Sequence, residues 1–266
     1  MWLPWRYALV GAAALAAVGW QRRGPGSLRA LCRETALVAL LYAMWLRAGE
    51  FEPFGIAGGL HRGRVIHDVE RSLHLPGEVH LQHWVLPHRW LVEASNLYYA
   101  GVHVPAIGVL LVWLWFRHRD RYAVVRTTLA IVTALGLAIR YVPVAPPRLF
   151  PEYGFVDTGL LFGQSVYGSF GAGVSAQLAA MPSIHVAWAV LAGAAGWAIG
   201  RGRWRWIGPA HAALTVFVVT DTANHWWLDS IVGAGLLVPA FLAARALHSR
   251  RRADVRPEPV LVDAAT

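Results

Sequence analysis

The chain has no lysine, a single cysteine and only 15% charged residues among its 266, and each scarcity removes a class of protein. One cysteine, Cys32, allows neither an intramolecular disulfide nor a cysteine-based metal cage, and its place inside an apolar run leaves the redox compartment unread. So little charge beside 56% hydrophobic residues, with a mean hydropathy of +0.43, excludes an ordinary soluble domain and leaves an integral membrane protein. The net charge of +9 could suggest nucleic acid. The arginines, however, collect in short segments between apolar runs, which is a topology signal, so no nucleic-acid partner is expected. Neither an internal repeat nor a separate soluble domain is visible.

What the chain does have is apolar runs. About 17 to 25 apolar residues cross a bilayer as a helix, and seven segments come near that length: Leu3 to Trp20, Leu31 to Leu46, Leu97 to Phe116, Tyr122 to Val142, Ile184 to Gly200, Trp206 to Thr222 and Trp227 to Leu247. The second is the weakest because it carries Arg33 and Glu34. The first could be a signal peptide, but its aromatic flanks, its lack of an Ala-x-Ala-like site and the basic cluster after it favour a retained helix. The expected fold is therefore an all-α, polytopic membrane bundle of about seven transmembrane helices. Residues 1–30 form an added N-terminal helix and linker, 31–248 the catalytic domain, and 249–266 a disordered tail with Pro257 and Pro259.

Arginine-rich turns at Arg22-Arg23 with Arg29, Arg117 to Arg121, Arg201 to Arg205 and Arg250 to Arg252 fall on one side if each run crosses once. That side is expected to be cytoplasmic in a cell membrane, with the N-terminus outside and the C-terminus inside. In the first outer loop, Val65, Ile66, Val69 and Leu73 share a helical face opposite His67, Asp68, Glu70, Arg71 and His74, which predicts a helix lying in the interface. The second outer loop, Gly154 to Phe170, reads equally as a lid over a lipid-facing cleft or as a connector.

Three polar clusters meet on the outer side. His225 and Asp229 lie four apart at the start of the last run, so on a helix the carboxylate can orient one ring nitrogen and leave the other as nucleophile or base, or the two can simply satisfy each other. Pro182-Ser183-Ile184-His185 opens another run, with Ser183 a candidate N-cap. A helix N-terminus cradles phosphate, and His185 in its first turn could donate a proton there. Arg140 and Arg148 bracket a proline-stiffened exit and suit bidentate phosphate contacts, although interfacial snorkelling would also explain them. Together the clusters supply a nucleophile, an orienting acid, a general acid and anion clamps, the components of phosphoryl transfer through a phosphohistidine. His211 reads as structural, Trp226 and Trp227 as interfacial anchors, and Asp221 as a further candidate.

Pro146-Pro147-Arg148, Pro182-Ser183-Ile184-His185 and His225 to Asp229, in that order, resemble the type-2 phosphatidic acid phosphatase superfamily, especially its inositol phosphorylceramide synthase-like members. The resemblance implies a six-helix core, with His225 attacking phosphorus, Asp229 orienting it, His185 protonating the leaving oxygen, and Arg148, Ser183 and Arg140 holding the phosphate. It implies no metal and no cofactor, and a membrane lipid as substrate; protein partners are not readable. Asn96, Tyr99 and His103 resemble an Asn-aromatic-His cluster of the synthase-like branch and would line a headgroup pocket, unless they only bond helix to helix. The sequence departs from the phosphatase pattern at Val218 and Val219, where a Ser-Arg pair is usual, and at Ile184, where glycine is usual. These departures favour a transferase-like chemistry over a plain phosphatase. The competing expectations are metal-dependent hydrolysis with His185, His225 and Asp229 as ligands, a transporter or channel with a His-Asp proton relay, and an inactive assembly partner.

Overall fold

The computed structural model describes residues 5–21, 26–50, 55–165 and 177–253. The tail from 254 onward, loop residues 166–170 and the arginines at 22 and 23 lie outside them. Twelve α-helices occur among the described residues: α1 (Trp5–Gln21), α2 (Gly26–Glu50), α3 (Gly55–Ser72), α4 (Glu78–Val85), α5 (Arg89–Gly101), α6 (His103–Arg117), α7 (Arg119–Ile139), α8 (Thr158–Leu161), α9 (Ile184–Ile199), α10 (Ile207–Asp221), α11 (Trp227–Gly235) and α12 (Leu237–Ala253). No strand accompanies them among those residues, only an isolated parallel bridge between Val144 and Ala179. The fold is thus the all-helical membrane bundle that the apolar runs imply.

The two irregularities in the long helices have a common cause. Pro105 has no amide to offer the carbonyl of Gly101 and its ring crowds that carbonyl, and the chain bends by 51° between α5 and α6 at that point. Pro239 stands in the same relation to Gly235, where α11 gives way to α12 at Leu236. By length and composition, α7 and the stretch Trp227–Arg250 each suffice to cross a bilayer, and the bent α5–α6 pair meets the same test when its two helices are counted together. The remaining runs are helices too, but α9 and α10 have 16 and 15 residues, about 24 and 22 Å of rise. Each is shorter than the roughly 30 Å hydrocarbon core.

Charge inside the second run is matched by a partner: Glu34 on α2 meets Arg126 on α7 at 3.0 Å. Small residues set the tightest crossing. A Cβ on Gly208 of α10 would stand 2.8 Å from the Ala192 carbonyl and 3.0 Å from Gly193 Cα of α9, so these backbones touch. Ile107, Leu110 and Leu114 of α6 fill the space against Ala192 and Ala195. α7 enters at Arg119 and ends beside Arg140, α9 runs from Ile184 toward Arg201, and α10 returns toward Asp221. All three therefore have their arginine-rich turns at the end opposite the polar motifs.

α3 is helical as the spacing predicts, with Asp68 and Arg71 of its polar side exposed, but what it buries against the rest of the protein is a glycine stripe and Glu70. Val65, Val69 and Leu73 are exposed, while Gly59, Gly63 and Glu70 are buried. The reason is steric: a Cβ at Gly63 would come within 2.6 Å of the Phe150 ring and 2.8 Å of the Ala145 carbonyl, so the glycine stripe is what approaches the loops. Those loops share a core of Val144, Phe150, Phe155, Leu178, Ala223 and Trp226. Trp226 is completely buried and donates its indole N–H to Ala145 O at 2.9 Å, so it is a core residue and not an interfacial anchor. Of the second loop, the described part is pinned: Gln82 exchanges two 2.9 Å hydrogen bonds with the backbone of Val156, and His83 meets Gly154 O at 2.9 Å.

Candidate active site

The site is assembled by backbone contacts before any side chain acts. Val144 takes a hydrogen bond from Ala180 N (3.1 Å) and gives one to Leu178 O (2.7 Å), fixing the strand-like segment that leads into α9. Ser183 caps α9, its Oγ accepting from Val186 N at 3.3 Å, and its own amide donates to Asp229 O at 2.9 Å. α11 lies directly on this cap, since a Cβ at Gly233 would be 2.3 Å from Ser183 O. Pro182-Ser183 and His225 to Asp229, more than 40 residues apart, are thereby locked face to face.

His225 is 3% exposed and its Nδ1 lies 2.7 Å from the Ala180 carbonyl. A carbonyl can only accept, so Nδ1 carries the proton and Nε2 carries the lone pair. Nε2 is buried and meets no hydrogen-bond partner among the described residues. Asp229 Oδ2 stands farther from Nδ1, at 3.5 Å, and its short contact is with Trp226 N at 2.8 Å. The acceptor nearest Nδ1 is thus a main-chain carbonyl, with the Asp229 carboxylate, expected as the orienting group, second in distance because in the first turn of α11 it also turns back to cap that turn.

Two further acids join this cap. Glu78 Oε1 accepts from Trp227 N (3.1 Å) and Glu70 Oε1 from Leu228 N (2.7 Å), so with Asp229 three buried carboxyls receive three successive amides. Three negative charges at one helix end would repel one another. Burial, reinforced by the hydrogen bond and charge of Glu78, instead pushes the Glu70 carboxyl up to about 9, so at neutral pH it holds its proton.

Around His225 stand rings from three other elements. His185, in the first turn of α9 and partly exposed, has its ring 5.8 Å from that of His225. Tyr99 lies 4.7 Å from His185 and 6.5 Å from His225. His103 is buried behind His185, ring to ring 4.5 Å. His211 extends the row at 6.2 Å from His103, its Nδ1 bonded to Tyr98 OH at 2.6 Å. Asn96 is tied to the second loop through Thr158 and Gln164, with Oδ1 accepting from Thr158 Oγ1 at 3.0 Å. Among the described residues no group of three or more His, Cys, Asp or Glu is arranged to hold a metal ion.

Arg148 is 5% exposed, its Nε on Asn224 Oδ1 and its Nη1 on Asp157 Oδ2, both at 3.0 Å. Through Asn224, the chain neighbour of His225, and Asp157 it borders a small cleft lined by Asn96, Tyr99, Asp157 and Asn224. Arg140 caps the C-terminus of α7 and is partly exposed. Val219, in the place of the usual arginine, is fully buried and acts through its carbonyl, which accepts the amides of Asn224 and His225 at 3.1 Å. Asp221, the further candidate, is buried and accepts from Ser95 Oγ at 2.7 Å.

An all-helical membrane bundle that presents an imidazole with a bare nitrogen, a second imidazole at a helix N-terminus and a buried guanidinium defines a phosphatase or phosphotransferase class of membrane protein. A family model described as the PAP2 superfamily matches residues 64–243, and the chain belongs to that superfamily. No curated protein and no solved structure matches it. The match begins inside α3, so α1 and α2 lie before it.

Proposed function

We propose that the protein transfers the phosphoryl group of a lipid phosphate or phosphoinositol-type lipid through a phosphohistidine on His225. The observation that carries this reading is the state of that ring: Nδ1 held by the Ala180 carbonyl, Nε2 with its lone pair unused. Nε2 attacks phosphorus, the bond from phosphorus to the leaving oxygen breaks, and His185 gives that oxygen its proton. Water or a substrate hydroxyl then attacks the phosphorus of the phosphohistidine, gives its proton to His185, and the phosphorus–nitrogen bond breaks to release His225. The N-terminus of α9 behind the Ser183 cap and the Arg148 charge hold the phosphoryl oxygens.

Water as acceptor gives a lipid phosphatase, and an alcohol gives an inositolphosphotransferase-like enzyme. Buried Val218 and Val219, where plain phosphatases carry a polar pair, favour the second. The arginine-rich ends of α7, α9 and α10 favour a site on the extracytoplasmic face of the cell membrane. The test is a panel of lipid phosphates and phosphoinositides presented to purified protein, following free phosphate and new lipid products together. Expected is cleavage of a phosphorus–oxygen bond that His225→Ala abolishes. Solute flux across sealed vesicles without any phosphate release would replace this reading with a transporter.

A further inference from the structure

His103 is the polar group of this site that its chemistry leaves unused. It opens α6 just past the 51° bend and is 4% exposed; the Tyr99 carbonyl one turn back is within its reach, but neither ring nitrogen makes a well-aligned hydrogen bond among the described residues. Native interiors rarely keep a buried polar group in that state without a use. The titratable groups facing it are known. Tyr98 and Tyr99 on α5 have ring centroids at 5.5 and 6.3 Å, His211 on α10 is at 6.2 Å, and His185 on α9 is at 4.5 Å. His225 lies beyond, 5.8 Å past His185. Tyr98 already bonds His211 Nδ1 (2.6 Å) and Thr215 Oγ1 (3.1 Å). His185 is the nearest ring, meets His103 edge to face at 62°, and stands partly exposed.

We infer that His103 is the positioning partner of His185: when a phosphate occupies the site, a His103 nitrogen accepts the ring N–H of His185, which fixes that ring with its other nitrogen toward the leaving oxygen. This rests on the phosphohistidine reading above. Substrate touches His185 and not His103, so His103 acts through its neighbour. The arrangement parallels His225, where Ala180 O holds one nitrogen and leaves the other for phosphorus.

The test uses the full chain labelled with 15N-histidine in detergent micelles, with orthovanadate as the phosphate mimic. In the parent protein, vanadate, mimicking the state after the leaving oxygen has taken its proton from His185, holds His185 as the neutral tautomer protonated toward His103, seen as two well-separated ring-nitrogen resonances. In His103→Phe those resonances collapse toward an averaged position, and in His103→Gln, whose amide can accept the bond, the separation returns. Turnover by His103→Phe falls on the order of a hundredfold in kcat with KM unchanged. His103→Leu replaces the Phe variant if that one does not fold. Identical vanadate-induced shifts of His185 in the parent and in His103→Phe overturn this inference alone. Absence of any vanadate response at His185 or His225 in the parent overturns the phosphohistidine reading and this inference with it.

Discussion

At the scale of single residues, the proposed chemistry depends on one nitrogen being occupied so that its neighbour is left to react. Ala180 O does this for His225, and no reading of side chains could have found it, because alanine contributes only its carbonyl. The same holds for Val219, whose carbonyl takes two amides where an arginine was missed. Glu70 was visible in the sequence only as one of the polar residues opposite the apolar face of α3. Its burial has a consequence for pH. With its carboxyl pushed from the ordinary 4.5 up to about 9, the folded protein binds more protons than the unfolded one between those values, so stability falls as pH rises through that window. Glu70→Gln keeps an acceptor for Leu228 N and a donor toward Glu78 without that proton. Its melting temperature is expected to fall less steeply than the parent's between pH 6 and about pH 9. Equal slopes would show that Glu70 does not hold the extra proton.

At the scale of elements, small residues decide which helices meet. Gly233 lets α11 rest on the Ser183 backbone, and it is this contact that brings His225 to His185. Gly233→Ala forces a methyl group to within 2.3 Å of Ser183 O. Such overpacking costs about 1–3 kcal/mol, and because it separates the two imidazoles, activity should drop further than the stability loss accounts for. Thermal unfolding and turnover measured on the same preparation check this, and parent-like turnover would mean the docking of α11 is not what positions the site. Ser183 as the cap of α9 and the helical character of the described apolar runs were legible, since each depends on periodicity or capping chemistry within one segment. The orientation of α3 was not. Its glycines look like helix-weakening residues until Phe150 and Ala145, more than 80 positions later, are packed against them. Trp226 was misread for the same reason, its pocket being made of loops remote in sequence.

For the whole molecule, the axis of α7, α9 and α10 separates an arginine-rich end from the polar site. Arg119 over Trp115 at 4.1 Å and Arg205 over Trp197 at 3.6 Å anchor the arginine-rich end with stacked aromatics. Accessible cysteines placed at Arg203 and Ser72 in a Cys32→Ala background should divide accordingly. An impermeant maleimide applied to intact cells is expected to label Ser72→Cys and spare Arg203→Cys. The reverse pattern would move the site to the cytoplasmic face.

The central claim concerns one atom, Nε2 of His225. The direct measurement is to quench purified protein turning over a lipid substrate labelled in its phosphate, hold it in alkali, where a phosphoramidate survives, and map the label. The account predicts label on His225, none in His225→Ala of unchanged melting temperature, and a loss of turnover in that variant on the order of 10⁴-fold or more. Label on any other residue, or turnover retained by His225→Ala, would contradict it.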